Sequence, residues 1–391
     1  MTLRGTNQEL GRPFNRRTVL ELIRRHGPVA RNEIADRTGL TVQTISNIVR
    51  ELEEDGFLIS SRRKPSGRGL PPSTLSINPD SGHAFGIQIT PLAVEVSLVN
   101  LGGTIVTTTR EETENANPEL AFGIIARLVE HLKAQFRDAR LLGAGLAMPG
   151  PFGVDSMSFI GPTTLAGWQD VNIPQQLEKA TGLPSFIEID MAAAALGEQL
   201  YGHGTNLSDY YYLYFGLGLG GTMVHDGETV RGNWGNAGEI GHLTVLPDGE
   251  MCPCGNRGCL ERYVSLEAFG RRRMGEAEWV EDVRPIFTRA IRMIENMYDP
   301  QTIVLGGLAS RSLLTRLAET ADALGNSIAA RHDRTVPRLM VAALGDDTVL
   351  RGAAALAVRG ALAPREGRMF KHPPSQDQWK GAPHGPASVG A

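Results

Sequence analysis

The residues best suited to chemistry are three cysteines and one histidine in a single stretch of the chain. Cys252, Cys254 and Cys259 are the only cysteines, and His242 lies ten residues before the first of them. Three thiolates and one imidazole are a standard ligand set for Zn²⁺, and four protein ligands complete a tetrahedral sphere, which is typical of a structural metal. The stretch therefore predicts a structural Zn²⁺ site, with interleaved glycines that let the backbone turn tightly around the ion.

Two other interpretations fit the same cysteines. Three reduced thiols in a turn-rich loop would need no metal, but their close clustering favours a ligand set. A disulfide is disfavoured because the number of cysteines is odd and nothing marks the chain as secreted.

The size and composition of the chain bound its class. A chain of 391 residues is long for one core, so two or three domains are expected. A content of 41% hydrophobic and 21% charged residues is that of an ordinary folded protein. No apolar run approaches the roughly 20 residues of a membrane-spanning helix, and the N-terminus lacks the apolar core of a signal peptide. We therefore expect a cytoplasmic protein with no membrane partner.

Charge is distributed unevenly along the chain. Residues 1–80 contain 13 Lys and Arg against 9 Asp and Glu, whereas the rest contains 26 against 34. A small basic head on a larger acidic body predicts that the head alone contacts nucleic acid.

Residues 1–80 have the pattern of a winged helix–turn–helix. A short helix is expected over 31–38, followed by a turn at Gly39 and a second helix that begins after Thr41, a good N-cap. The second helix has an apolar stripe on one face and short polar side chains on the other. This arrangement is typical of a recognition helix that enters the major groove.

The candidate DNA contacts are the polar face of that helix and a basic loop that follows it. Short polar side chains at the start of a recognition helix reach base edges and phosphates. Two strands are expected to flank the basic loop as a wing, whose cations would meet phosphates or a minor groove. A helical hairpin that binds only proteins is the alternative. The predicted DNA contacts are Thr41, Gln43, Thr44, Ser46, Asn47, Arg62, Arg63 and Arg68.

Residues 81–365 alternate between short β-prone runs and helical patterns, which predicts an α/β body. The second half of the pattern begins near Asp190, so two lobes with a cleft between them are expected. Residues 366–391 are rich in Pro, Gly, Ser and Ala, and we expect them to be disordered.

Two motifs in the body are specific when they occur together, GNAGEIGH at 235–242 and CPCGNRGCLE at 252–261. With them, residues 84–359 resemble the ROK family, which contains bacterial sugar kinases and sugar-responsive transcriptional repressors. The head is similar to that of the repressor branch. The resemblance implies a two-lobed, actin-like and ribonuclease-H-like fold with sugar and nucleotide sites in the cleft. Further matching motifs are MPGP at 148–151, LAGW at 165–168, GLGLGGT at 216–222, IVLGG at 303–307 and LRGAAALA at 350–357.

The resemblance also bears on catalysis. Kinases of this family carry an Asp-x-Gly-Gly-Thr turn after the first strand, where the glycine backbone approaches the nucleotide phosphates. This chain has QITPL at 88–92, in which Gln88 offers no charge for Mg²⁺ and Pro91 offers no N–H. Phosphoryl transfer depends on positioning and charge neutralisation, so we expect no catalytic residues and no useful kinase activity. A second glycine-rich stretch at 216–221 is retained, but any tight turn would accept it.

The resemblance implies that Asp190, Glu239, His242 and Glu261 contact a sugar, with His242 using one ring nitrogen for the sugar and the other for zinc. In the kinases an Asn-Asp pair ends a strand and its Asp accepts the proton of the reacting hydroxyl. Here Ile189 replaces the Asn, so Asp190 is expected to accept a hydrogen bond from a sugar hydroxyl. Two alternatives stay open: Asp190 caps the next helix, and the two glutamates only support the zinc loop.

Together these features predict a sugar-responsive transcriptional regulator of carbohydrate uptake or catabolism genes. Repression relieved by sugar is the common arrangement in the family, and activation stays open. The partners expected are operator DNA, a small carbohydrate and a second copy of the chain, in a homodimer or homotetramer. The alternatives are an active ATP-dependent sugar kinase with an appended DNA-binding head, and a zinc-stabilised scaffold that recruits another protein.

Overall fold

The structure is a computed structural model that describes residues 11–62, 73–114, 116–150, 165, 167–168, 171–233, 235–329, 331 and 333–362. The head contains three helices and a three-stranded sheet in the order β1-β3-β2. Its elements are α1 (Arg12–His26), β1 (Val29–Ala30), α2 (Arg31–Thr38), α3 (Val42–Glu54), β2 (Leu58–Arg62) and β3 (Ser73–Ile77).

Local sequence explains why α3 forms where it does. The hydroxyl of Thr41 accepts a hydrogen bond from the backbone N–H of Thr44 at 3.2 Å, which caps the first turn. Gly39, at φ 71°, ends α2 in the left-handed region that favours glycine. The apolar side of α3 is fully buried, so the predicted helix–turn–helix geometry is confirmed. The buried residues are Ile45, Ile48, Val49 and Leu52.

The first lobe of the body is built on a five-stranded sheet in the order β6-β5-β4-β7-β8. The first three strands along the chain form an antiparallel meander, and β7 and β8 extend it in parallel. Its elements are β4 (His83–Thr90), β5 (Ala93–Asn100), β6 (Ile105–Glu112), α4 (Pro118–Gln135), β7 (Leu141–Met148), α5 (Ile173–Thr181) and β8 (Ser185–Ile189).

The second lobe is built on another five-stranded sheet, in the order β11-β10-β9-β12-β13. Its central strands β9 and β12 are parallel, and β10 runs antiparallel to β9. Its elements are β9 (Tyr210–Phe215), β10 (Leu219–His225), β11 (Glu228–Thr229), α7 (Leu266–Arg272), α8 (Glu276–Tyr298), β12 (Thr302–Gly307), α9 (Arg311–Glu319) and β13 (Leu339–Val341). Two further helices of the body, α6 (Asp190–Tyr201) and α10 (Thr348–Leu362), pack against each other.

The last helix, α10, packs directly against the first sheet and against α6. A Cβ on Gly86 of β4 would lie 1.9 Å from the carbonyl oxygen of Leu350, so the strand approaches the helix backbone itself. A Cβ on Gly352 would lie 1.7 Å from the carbonyl oxygen of Ala193 in α6. Glycine is required at both contacts because any side chain would separate the elements.

Most of the predicted elements are confirmed, and three expectations need correction. Residues 76–83 look like a linker in the sequence, but Pro79–Ser81 form a 3₁₀ turn and Asn78 donates a hydrogen bond to the carbonyl of Gly56 at 2.9 Å. The glycine-rich stretch at 216–221 is only partly a loop, because β10 begins at Leu219. The pattern of residues 291–297 predicts a helix, and these residues form the end of the longer, 23-residue α8, which contains Pro285. Residues 366–391 lie outside the described part of the chain.

In the part of the chain that the structure describes, no helix is long and apolar enough to cross a membrane.

Candidate functional site

The four predicted zinc ligands converge on one point. Their ligand atoms, one each from His242, Cys252, Cys254 and Cys259, all lie within 4.8 Å of one another. The Sγ atoms of Cys254 and Cys259 are 3.6 Å apart, and Cys252 Sγ lies 3.6 Å from Nδ1 of His242. Tetrahedral Zn²⁺ with Zn–S bonds of about 2.3 Å would place its sulfur atoms about 3.8 Å apart. The spacing of these donors therefore fits a tetrahedral ion.

The loop that carries the cysteines is folded tightly by its own backbone. The N–H of Cys252 donates to the carbonyl of Asn256 at 2.8 Å, and the N–H of Gly255 donates back to the carbonyl of Cys252 at 2.9 Å. A Cβ on Gly258 would lie 1.5 Å from the carbonyl oxygen of Leu246, so only glycine fits there. The loop is thus closed in a shape that presents its sulfur atoms to one side.

The thiols are not electrostatically equivalent. Burial raises the pKa of Cys252 and of Cys259. Burial acts in the same direction on Cys254, but hydrogen bonds from the Asn256 backbone and from the other two cysteines outweigh it, and the pKa is lowered to about 7. These hydrogen bonds favour the thiolate form of Cys254, which is the form in which a cysteine binds a metal.

A cleft cavity of about 110 Å³ lies beside this cluster and is lined by Asp190, Glu239, His242 and Glu261. Nδ1 of His242 is 3.5 Å from Oε1 of Glu261, while its Nε2 is 3.9 Å from Oε2 of Glu239. The structure therefore brings together all four residues that the family resemblance connects with a sugar. Three carboxylates and an imidazole in one cavity offer many acceptors for hydroxyl groups.

Asp190 is the first residue of α6, and its carboxylate accepts a hydrogen bond from the N–H of Met191 at 2.7 Å. Ile189 occupies the N-cap position without a side-chain hydrogen bond, and Asp190 satisfies one free N–H of the first turn, which is compatible with both the capping and the sugar-binding roles. The pKa of Asp190 is raised to about 6, because burial and, to a smaller extent, the charge of Glu239 raise it by more than the Met191 N–H lowers it. Burial also raises the pKa of Glu239.

Several cavity residues have no counterpart in the sequence prediction. They share one position in the fold, at or just beyond the carboxyl ends of parallel strands, where ligands bind in open α/β sheets. The sequence offers this signal in part, because the patterns at 141–148, 210–215 and 302–305 predict strands that end beside these residues. These additional lining residues are Pro149, Tyr214 and Leu308.

The predicted DNA-binding face lies on the outer side of α3. Gln43 and Asn47 are exposed and 3.5 Å apart between Nε2 and Oδ1, and Arg50, which sequence reasoning missed, lies 3.5 Å from Asn47 Oδ1. The spacing of 43, 47 and 50 by four and three positions was the available signal. Ser46 is half-buried and donates to the carbonyl of Val42 at 2.8 Å.

The wing is described only in part. β2 and β3 pair in antiparallel register from Leu58 and Ile77 to Arg62 and Ser73. Arg62 ends β2, whereas Arg63 and Arg68 lie outside the described residues.

Comparison with known proteins agrees with both halves of this architecture. Residues 84–290 match the ROK family, and residues 15–59 match the winged helix-turn-helix DNA-binding family. The xylose repressor of Bacillus subtilis is 28% identical over 264 residues, which are 67% of this chain and 68% of the repressor.

Solved structures show the same fold. The crystal structure of a ROK family transcriptional regulator, a homolog of the E. coli MLC protein, matches with a TM-score of 0.66 and 22% identity over 90% of this chain and 96% of that chain. The ROK hexokinase of Thermus thermophilus matches with a TM-score of 0.56 and 27% identity over 71% of this chain and 98% of the hexokinase. The chain therefore belongs to the ROK family and carries a winged helix–turn–helix DNA-binding domain ahead of its ROK domain.

Proposed function

We propose that this protein is a transcriptional regulator whose affinity for operator DNA responds to a small carbohydrate. The observation that carries the proposal is the combination, in one chain, of a helix–turn–helix head with a cleft that collects Asp190, Glu239, His242 and Glu261 around one cavity. The xylose repressor relative supports both the DNA-binding role and the sugar response.

The carboxylates and the imidazole would bind sugar hydroxyls by hydrogen bonds. Asp190 and the two glutamates accept, and the Nε2 side of His242 faces Glu239 and the cavity. Zn²⁺ would be held by Cys252, Cys254, Cys259 and Nδ1 of His242, in a structural role that fixes the ring orientation.

We further propose that the protein does not phosphorylate its sugar. At the turn after β4, the N–H groups of Leu92 and Ala93 point to the hydroxyl of Thr90 at 3.3 and 3.1 Å, so they are already engaged within the turn. Pro91 supplies no N–H, and Gln88 is a buried neutral side chain in place of a carboxylate. Support for a nucleotide phosphate is therefore weak on this side of the cleft.

Operator binding by the zinc-loaded chain, followed with a panel of sugars and sugar phosphates that includes D-xylose, D-glucose and N-acetylglucosamine, tests the proposal. A DNA duplex for this assay can be selected by the protein from a random library. The expected result is that one sugar shifts DNA affinity and no ADP forms in the same samples. One head reads only a few base pairs, so the selected sequence is expected to be a two-fold repeat bound by a dimer or tetramer.

The sugar kinase is the second candidate, because Asp190 occupies the cleft and the Thermus hexokinase shares the fold. Sugar-dependent ADP formation, lost in Asp190→Asn, would establish it. DNA binding that no sugar alters would instead favour a scaffold that responds to another protein.

A further inference from the structure

The head is docked on the first lobe and α10 by apolar packing. One buried cluster contains Val19 and Ile23 of α1 together with Ala84 and Val99 of the first sheet and Ala357 of α10. Phe57 of the head belongs to the same cluster, and the guanidinium of Arg140 lies 4.2 Å from the centroid of its ring. The head and first lobe therefore form one packed unit, which is expected to move as a body.

The contact between the head and the second lobe has a different character. Nη2 of Arg25 in α1 lies 3.2 Å from Oε1 of Glu228 in β11, and the other oxygen of Glu228 pairs with Arg359 of α10. Beside this ion pair, a cavity of about 440 Å³ separates the end of α1 from second-lobe residues such as Leu207 and Gln301. The head thus contacts the second lobe through an ion pair, and a cavity lies beside that contact. This arrangement leaves room for the head and the second lobe to move relative to each other.

The segment that begins at Glu228 leads directly to the cavity in the cleft. Three residues later, Arg231 pairs with Glu188, whose side chain is 8% exposed and lies two residues before Asp190 on the first lobe. The carbonyl of Arg231 accepts a hydrogen bond from the N–H of Ala237 at 3.1 Å, which closes the loop two residues before Glu239.

The end of this loop is fixed to the second sheet. The carbonyl of Gly238 accepts from the N–H of Gly221 in β10 at 3.1 Å, and a Cβ on Gly238 would lie 1.8 Å from the carbonyl oxygen of Gly221. Residues 228–233 and 235–242, here called the connecting segment, therefore lead from the head contact to Glu239 and His242, and backbone hydrogen bonds at Arg231 and Gly238 hold them in place.

We propose that Glu228 and Arg231 are positioning residues that couple occupancy of the cleft to the orientation of the DNA-binding head, with Arg231 holding the segment to the first lobe and Glu228 holding it to α1. This inference rests on the proposed function and identifies the residues through which sugar binding would affect the head. Asp190 directly follows β8 of the first lobe, so any ligand that draws Glu239 toward Asp190 changes the position of the second lobe relative to the first. The head moves with the first lobe, so the Arg25–Glu228 contact must rearrange.

The test compares Glu228→Gln with the wild-type chain, using the sugar that the panel identifies and the selected duplex. The measured quantity is the ratio of sugar Kd values with and without DNA, which is the coupling between the two sites and is commonly about 5- to 150-fold. We expect Glu228→Gln to reduce this ratio to less than about 2-fold while the sugar Kd of the DNA-free protein stays unchanged. Glu111→Gln is the matched control, because Glu111 pairs with Arg127 at 2.6 Å on the first lobe, away from the head contact. A wild-type ratio in Glu228→Gln would overturn the proposal.

A second measurement needs neither sugar nor DNA. In the free protein, Arg231→Met is expected to increase amide hydrogen exchange in residues 235–242 and also in the C-terminal half of α1, whereas Arg231→Lys changes both less. Glu111→Gln should change neither region. An increase confined to 235–242 would contradict the route even if the protein responds to a sugar. Absence of any sugar response in the wild type would contradict the proposed function, and the exchange result would still decide the route.

Discussion

Oε1 of Glu261 lies 3.5 Å from Nδ1 of His242, so the proposed metal cluster and the cleft cavity share a wall. The same carboxylate oxygen accepts a hydrogen bond from the Cys252 thiol at 3.1 Å. His242 therefore belongs to both sites, and loss of metal is expected to disturb the cavity as well as the loop.

We expect the purified protein to contain about one Zn²⁺ per chain, and His242→Asn to lose it. The loop would lose its central cross-link, and the Tm of the body should fall by at least about 5 °C, because 1 kcal/mol corresponds to about 2–4 °C in a domain of this size. Elemental analysis and thermal melts measure both effects. His131→Asn, on the exposed face of α4, is the control. An unchanged zinc content in His242→Asn would show that this residue is not a ligand.

Asp190 is expected to make the stability of the sugar-free protein depend on pH, and its raised pKa sets the sign of that dependence. Its pKa is raised from 3.8 to about 6, so the folded state disfavours the charged form. The resulting destabilisation is absent below about pH 3.8 and complete above about pH 6.

Asp190→Asn is therefore expected to stabilise the sugar-free protein at pH 8, by no more than about 3 kcal/mol, and to have little effect at pH 4. The same substitution should abolish the sugar response. Denaturant unfolding at the two pH values measures the first effect. A loss of stability at pH 8 would mean that the hydrogen bond to Met191 outweighs the cost of burying the charge.

Structural features that neighbouring residues determine could be predicted from the sequence, whereas features that depend on distant contacts could not. Thr41 caps α3 with its own hydroxyl and Gly39 ends α2, so both helix ends were predictable. The strands β7, β8 and β9 were predictable as well, because each is a short β-prone run in the sequence. By contrast, Pro285 argues against a continuous helix in the sequence, yet α8 runs through it with Val283 and Phe287 buried on either side.

The candidate sites divide in the same way. The spacing of the cysteines indicates a metal cluster before any fold is known, because all its ligands except His242 lie in one short loop. For Tyr214 the only signal is general, namely its place at the carboxyl end of a predicted strand, and no motif around it indicates a ligand. The docking of the head on the body could not be predicted from the sequence, because Arg25 and Glu228 are separated by 203 positions and pair only in the folded chain.

Arg50 extends the polar face of α3 and should contact a phosphate rather than a base, because it lies beyond Asn47 from the helix start. We expect Arg50→Ala to weaken operator binding about equally for all DNA sequences and to reduce the slope of log K against log salt by about 1. Fluorescence anisotropy at several salt concentrations measures the slope. Arg127→Ala, whose side chain is 60% exposed on the body, should leave it unchanged.

Glu21 anchors the buried charges of α1. Burial alone would raise its pKa, but Arg24 and Arg25 outweigh burial and lower the pKa from 4.5 to about 2. A lowered acid pKa contributes stability that is complete above about pH 4.5 and is lost as the pH falls toward 2.

Glu21→Gln is expected to destabilise the head at pH 7 by about 3–5 kcal/mol, because it leaves the buried guanidinium of Arg24 without its carboxylate. The difference from the wild type should shrink as the pH falls toward 2, where Glu21 is itself protonated. Thermal melts of the full chain at pH 7 and pH 3 measure this difference in stability. Hydrogen exchange of the α1 amides at the same pH values assigns it to the head. Glu33→Gln breaks the exposed pair with Arg37 and should change stability by less than about 1 kcal/mol. An equally small effect of Glu21→Gln would mean that Arg24 finds another partner when Glu21 is neutral.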